Sequence, residues 1–120
     1  MRRKKVDQKK LNEILKLHTV WRSGKLGGER ANFCKANLEG ADFRGTDLQL
    51  ACFRGACLYT TNFEGADLRG ADFVAACLQN ANFKSANLEG ADLAGANLSG
   101  ANFEEANLNE VDLTRTILDR

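Results

Sequence analysis

Proline is absent from this 120-residue chain, and histidine, tryptophan, tyrosine and methionine occur once each. Turns must therefore rest on glycine, asparagine and aspartate. No apolar run approaches the roughly 20 residues of a membrane-spanning helix. The basic opening Met-Arg-Arg-Lys-Lys is not followed by the apolar core of about 7–15 residues that a secretory signal needs. The expected compartment is the cytoplasm. Four cysteines without an export signal are read as free thiols rather than a disulfide framework. No GxGxxG or P-loop pattern stands in a phosphate-binding context.

The rest of the composition suits one soluble domain, with 43% hydrophobic and 28% charged residues. The net charge of +1 conceals an asymmetry. Residues 1–30 hold ten Lys/Arg against Asp7, Glu13 and Glu29, a balance of +7. Residues 31–120 hold seven Lys/Arg against thirteen Asp/Glu, a balance of −6. A basic head precedes a mildly acidic body.

That body is a tandem repeat of period five. It begins A-N-F-C-K, A-N-L-E-G, A-D-F-R-G and continues to T-I-L-D-R. The third position is Phe or Leu in all eighteen units. The first is Ala in fourteen, Thr in three and Val in one, and the second is Asn or Asp in fourteen. Gly closes eight units. A helix would rotate successive Phe/Leu by about 140° and scatter them around its circumference. A straight strand puts the first and third positions on one face, but the next Ala, three residues on, would flip outward. All apolar positions stay inside only if the chain turns after each central residue. The Gly-rich last two positions supply that corner.

Like side chains should stack from coil to coil. A step of twenty aligns Phe43, Phe63, Phe83 and Phe103, and separately Leu38, Leu58, Leu78, Leu98 and Leu118. It also aligns Arg44, Glu64, Lys84 and Glu104 as an alternating ladder, and sets Arg69 over Glu89. A step of fifteen would stack Arg54, Arg69 and Lys84, and like charges on neighbouring strands repel. Four walls per coil follow. The eighteen units then give about four and a half coils, roughly 21 Å long at about 4.7 Å per coil.

The A-[DN]-[LF]-x-x array over residues 31–120 resembles the pentapeptide-repeat family. The resemblance implies an all-β, right-handed quadrilateral parallel β-helix, with the central Phe/Leu and the preceding Ala inward. Departures are Cys52, Cys57, Cys77 and Ile117 at the Asn/Asp position and Leu50 at a corner.

Residues 1–30 read as a basic tail and an N-terminal α-helical cap. Asp7 is a candidate N-cap. Leu11, Ile14, Leu15 and His18 recur at helical spacing, which predicts an amphipathic helix over 8–21. Leu15, Trp21 and Leu26 are the candidates to cover the open first coil, and solenoids need such covered ends. Residues 1–5 read as a disordered tail. Lys4, Lys5, Lys9, Lys10 and Lys16 would carry any contact with nucleic acid or an anionic membrane.

Chemistry is scarce. The lone histidine, His18, falls on the apolar face of that helix and reads as a packing residue. Cys57 and Cys77, twenty apart and therefore stacked, lie within disulfide reach. A staple there and free thiols in place of Asn/Asp are the two alternatives, and zinc lacks a converging ligand set. Leu50, Cys52, Cys57, Tyr59, Val74 and Cys77 interrupt the polar exterior on or beside two adjacent walls and form a candidate contact patch. Val111, Leu113, Ile117 and Leu118 lie on the final half-coil and form a candidate dimer end.

The leading functional reading is a non-enzymatic scaffold or interaction module for another protein, with no cofactor, no metal and no membrane span. The family resemblance also implies an alternative, DNA mimicry directed at a type II topoisomerase. Duplex DNA carries one charge per about 1.7 Å, so a 21 Å rod would need roughly twelve negative charges against the −6 of this body. Attachment to nucleic acid or membrane through the basic head is a third reading.

Overall fold

The computed structural model describes residues 3–118. All parallel bridges but one join residues twenty apart, from Asn32↔Cys52 to Asn97↔Ile117. Four pentapeptides therefore make one turn of the coil. Each wall is a single bridging residue, always the second of its pentapeptide, rather than a longer strand.

The hydrogen bonding of one unit explains why this period holds. In Ala86–Gly90, the Ala86 N–H closes a turn onto the Phe83 carbonyl (3.0 Å). The Asn87 N–H reaches the preceding coil at the Ala66 carbonyl (3.0 Å). Leu88 and Gly90 donate forward to the Asn107 and Asn109 carbonyls (2.9 and 3.0 Å). The Glu89 N–H remains, and Asn87 Oδ1 accepts it at 3.1 Å. All five donors find partners, as a compact backbone demands. The same side-chain bond recurs in all fourteen units that carry Asn or Asp, from Cys34 N–H on Asn32 to Thr114 N–H on Asp112.

The fifth position makes the corner. From Lys35 to Arg115 every fifth-position residue has positive φ, whether glycine or not. Glycine enters this left-handed region without steric penalty, whereas a side chain with a Cβ does not. Thr60, β-branched, sits there at φ 56°. Leu50 also occupies a corner, at φ 65°, and its side chain lies over Gly70 one coil on, where a Cβ would collide with Leu50 Cδ2.

Inside, the Phe and Leu of the inner coils are fully buried with the small first-position residues between them. Phe43, Phe63, Phe83 and Phe103 stack with centroids 5.0–5.2 Å apart and planes within 8°. Phe33, Phe53 and Phe73 form a second stack, and rings of the two stacks meet edge to face at 5.5–5.9 Å. Both arrangements suit the ring quadrupole.

The helix α1 spans Gln8–Arg22, one residue beyond the expected end. Asp7 caps it, accepting the Lys10 N–H at 2.8 Å. Leu11 is buried with the core of the coil, and Val6, Ile14 and Leu15 pack against that core. Trp21 is half-buried beside His18, with ring centroids 5.4 Å apart. Leu26 does not cover the coil: it is fully exposed. Positive-φ Gly24 and Gly27, with open space around them, swing the connecting loop outward. Gly28 then returns against α1 so closely that a Cβ would fall on the Trp21 backbone.

Met1 and Arg2 of the expected disordered tail lie outside the described residues, but residues 3–6 are not a free tail. Lys5 bridges Asn37 in parallel, Val6 N–H donates to the Asn37 carbonyl (2.9 Å), and Asn37 Nδ2 donates to the Arg3 carbonyl (2.9 Å). The segment takes the place of a preceding coil on that wall, because the exposed edge of Asn37 offers a ready ladder of donors and acceptors.

The corner geometry predicts opposite effects for two substitutions. Thr60→Gly should raise the unfolding free energy by about 0.5–1 kcal/mol, because the relief of left-handed strain exceeds the added freedom of the unfolded chain. Gly90→Thr, at a corner with nothing within 4 Å, should lower it by a similar amount. Equilibrium denaturation measures both, and a destabilised Thr60→Gly would contradict the reading.

Candidate functional site

Two adjacent walls carry the irregular positions. The first comprises the pentapeptides starting at Ala31, Ala51, Ala71, Ala91 and Val111, and the second those at Ala36, Ala56, Ala76, Ala96 and Thr116. On the first, Cys52 and Val74 are half-buried. On the second, Cys57, Tyr59 and Cys77 are half-buried. Leu50, at the corner entering the first wall, is 45% exposed. The patch read from the sequence is thus on one side of the rod.

The cysteines are not all free. Cys34 and Cys52 form a disulfide with Cα atoms 5.8 Å apart, while Cys57 and Cys77 are free thiols. The expectation of four free thiols is corrected for Cys34 and Cys52, whereas of the two alternatives for Cys57 and Cys77 the structure has the free thiols. The reason is direction. Cys57 and Cys77 occupy the same position in successive coils, so their Cα–Cβ bonds run side by side. Cys34 is a fourth-position residue and Cys52 a second-position residue, eighteen apart. This diagonal recurs between other coils: Arg54 Nε donates to Asp72 Oδ2 at 3.0 Å, and Asn82 Nδ2 donates to Glu64 Oε1 at 3.4 Å as well as vertically to Asn62 Oδ1 at 3.3 Å. The separation of eighteen is visible in the sequence, but only vertical pairs twenty apart suggest themselves before the lean of the side chains is known. Closing a loop of this length stabilises the fold by about 3 kcal/mol.

The charged walls also differ from the expected ladder. Arg44 pairs with Asp42 of its own pentapeptide through two bonds (2.9 and 2.8 Å), and Arg69 does the same with Asp67 (2.9 and 2.7 Å). An arginine two residues from an acid can form this fork locally. Glu64 and Glu89 in the next coil add only weaker attraction to Arg44 and Arg69. The Arg44 fork holds the Asp42 carboxyl down at about 2. Lys4, Lys5, Lys9, Lys10 and Lys16 are all exposed. At the far end, Leu113, Ile117 and Leu118 are exposed and Val111 packs against the core. Leu108, not singled out from the sequence, is exposed beside them. Among the described residues no group of three or more His, Cys, Asp or Glu converges on a metal position, and no helix is long and apolar enough to cross a membrane.

His18 is fully buried between α1 and the first coil, where Nδ1 accepts the Ala31 N–H at 2.9 Å. That bond fixes the proton on Nε2, which faces the Gln49 backbone without a well-aligned hydrogen bond. Burial pushes its pKa below the usual 6.5, against smaller opposing pulls from the Gln49 backbone and Asp47. The packing role is as expected from the sequence.

This burial sets a pH dependence. Below pH 6.5 the unfolded histidine takes up a proton that folded His18 refuses. The unfolded state then binds more protons, so stability falls on acidification until the lowered folded pKa is passed. The slope is at most about 1.4 kcal/mol per pH unit. Chemical denaturation from pH 7 to about 5, above the range where carboxylates titrate, should show this loss. His18→Gln, which keeps an acceptor for Ala31, should remove it, and an equal slope in both proteins would contradict it.

Comparison with known proteins places this geometry. The pentapeptide-repeat model matches residues 29–65, 60–84 and 81–120, in eight copies. A solved pentapeptide repeat protein from Nostoc Pcc 7120 is 35% identical over 76% of this chain and 71% of its own, with a TM-score of 0.64. One from the Arabidopsis thaliana thylakoid lumen is 34% identical over 72% of this chain, with a TM-score of 0.59, and this chain covers 57% of its length. No curated protein matches. With the repeat matched over most of its length and the four-walled coil in place, the chain belongs to the pentapeptide-repeat family of right-handed β-helices.

Proposed function

We propose that this chain is a non-enzymatic interaction module, a rod of about four and a half coils over residues 31–120, closed at its N-terminal end by residues 1–30. The partner is another protein, and its contact lies on the two adjacent walls around Leu50, Cys52, Cys57, Tyr59, Val74 and Cys77. The observation that carries this reading is their grouping: apolar side chains interrupt a polar exterior on one side of the rod. The core is filled by the chain's own Phe and Leu, so recognition falls to the outer surface.

Supporting detail comes from both ends. Leu11 in the core, Val6, Ile14 and Leu15 against it, and the Arg22–Asp47 ion pair (3.5 Å) favour α1 as a fixed cap. At the other end Leu108, Leu113, Ile117 and Leu118 favour a second contact, between two copies, and strictly monomeric sedimentation at high concentration would remove it. The Cys34–Cys52 disulfide favours an oxidising compartment over the cytoplasm. DNA mimicry is disfavoured by a body charge of −6, and attachment through the exposed head lysines has no feature beyond their charge.

Affinity capture from the source lysate tests the contact. Wild type should retain a specific protein that Tyr59→Ser/Val74→Ser loses, with the circular dichroism and melting of the variant unchanged. Equal retention by the folded variant would discard this patch.

A further inference from the structure

We propose that Cys57 and Cys77 form a two-coordinate site for a soft monovalent cation of the Cu(I) class. The inference rests on the cysteines alone and holds whether or not a protein docks on the same walls. Both thiols are free and half-exposed on the second wall. Their residues are bridge partners in parallel register, tied by the Leu58 N–H to Cys77 carbonyl bond at 2.8 Å. The Cys77 N–H in turn holds the Ala56 carbonyl at 2.9 Å. Two identical positions in successive coils carry their side chains in the same direction, one strand spacing or about 4.8 Å apart. A disulfide would need the Cβ atoms at about 3.8 Å, so the rigid coil opposes it. A linear S–metal–S unit with metal–sulfur bonds of about 2.3 Å spans about 4.6 Å, close to the strand spacing of about 4.8 Å between the two residues.

The surroundings select the class of ion. The second-position column on this wall reads Asn37, Cys57, Cys77, Asn97 and Ile117, whereas each of the other three columns contains aspartate. Two thiolates suit a soft cation and not a hard oxygen-seeking one, which takes about six or more oxygen ligands. Among the described residues no third His, Cys, Asp or Glu completes a metal-binding group, so tetrahedral zinc is not provided for. Thiolates select Cu(I), which accepts two ligands in line. On binding, two S–H bonds break, two S–Cu bonds form and both protons pass to buffer. The metal keeps its oxidation state, and the Cys34–Cys52 disulfide takes no part.

The test is anaerobic competition for Cu(I) from a bicinchoninate complex, using the intact disulfide-bonded chain and native mass spectrometry for stoichiometry. Wild type should take one Cu(I) and lose two protons. Cys57→Asn and Cys77→Asn should each weaken binding by about 100-fold or more, because a second ligand on the same scaffold contributes that much. Both should remain folded, since asparagine occupies the same position in eight other units. Cys34→Ser/Cys52→Ser should keep the single tight ion. Undiminished affinity in either Asn variant, or loss of the ion in the Ser double variant, would overturn the proposal.

Discussion

Every pentapeptide has one backbone N–H, at its fourth position, that neither the neighbouring coil nor the corner turn can reach. In fourteen of the eighteen units its partner is the side-chain oxygen of an asparagine or aspartate two residues earlier. The other four donors follow from the coil once it exists, whereas this one depends on side-chain identity. The bond is local, so each unit holds its own corner before the next coil arrives. It also supports the left-handed fifth residue that brings the next small residue back inside. The Cys52, Cys57 and Cys77 units keep the same bridges and corners without it, so the bond reinforces a coil that its neighbours also hold in place.

The ends of the rod obey different physics, because a coil cannot pair with nothing. At the N-terminal end the chain meets the open edge twice: residues 3–6 extend the wall of Asn37 by backbone bonds, and α1 lays Leu11 on the core. His18 joins the two by accepting the first N–H of the coil, at Ala31. The C-terminal coil has no such cover among the described residues, and its leucines emerge into solvent, Leu118 at 61% exposure.

Much of this was legible in the sequence, for a physical reason. A strict period leaves one arrangement in which Phe stacks on Phe and all apolar positions face inward, so the step of twenty and the inward residues could be read directly. The Asp7 cap and the helix followed from ordinary spacing. Side-chain direction could not be read in this way. Cys34–Cys52 was missed because fourth-position side chains lean across to the second position of the next coil, and the Arg44–Asp42 fork because it forms within one unit. Leu26 was misplaced because hydrophobicity alone does not reveal that its glycine-bounded loop turns outward. The contact patch was legible only as a break in pattern, since a repeat fixes its own residues and leaves function to the exceptions.

Three units carry cysteine in place of Asn or Asp, and they offer a natural control for the fourth-position bond. Amide hydrogen exchange measured residue by residue on the native chain tests it most directly. The Glu89 and Ser99 amides, bonded to Asn87 and Asn97, should exchange slowly. The Arg54 and Gln79 amides, which follow Cys52 and Cys77, should exchange markedly faster within the same rigid coils. Equal protection at all four would contradict the role of the asparagine and aspartate side chains in holding the fourth-position amides.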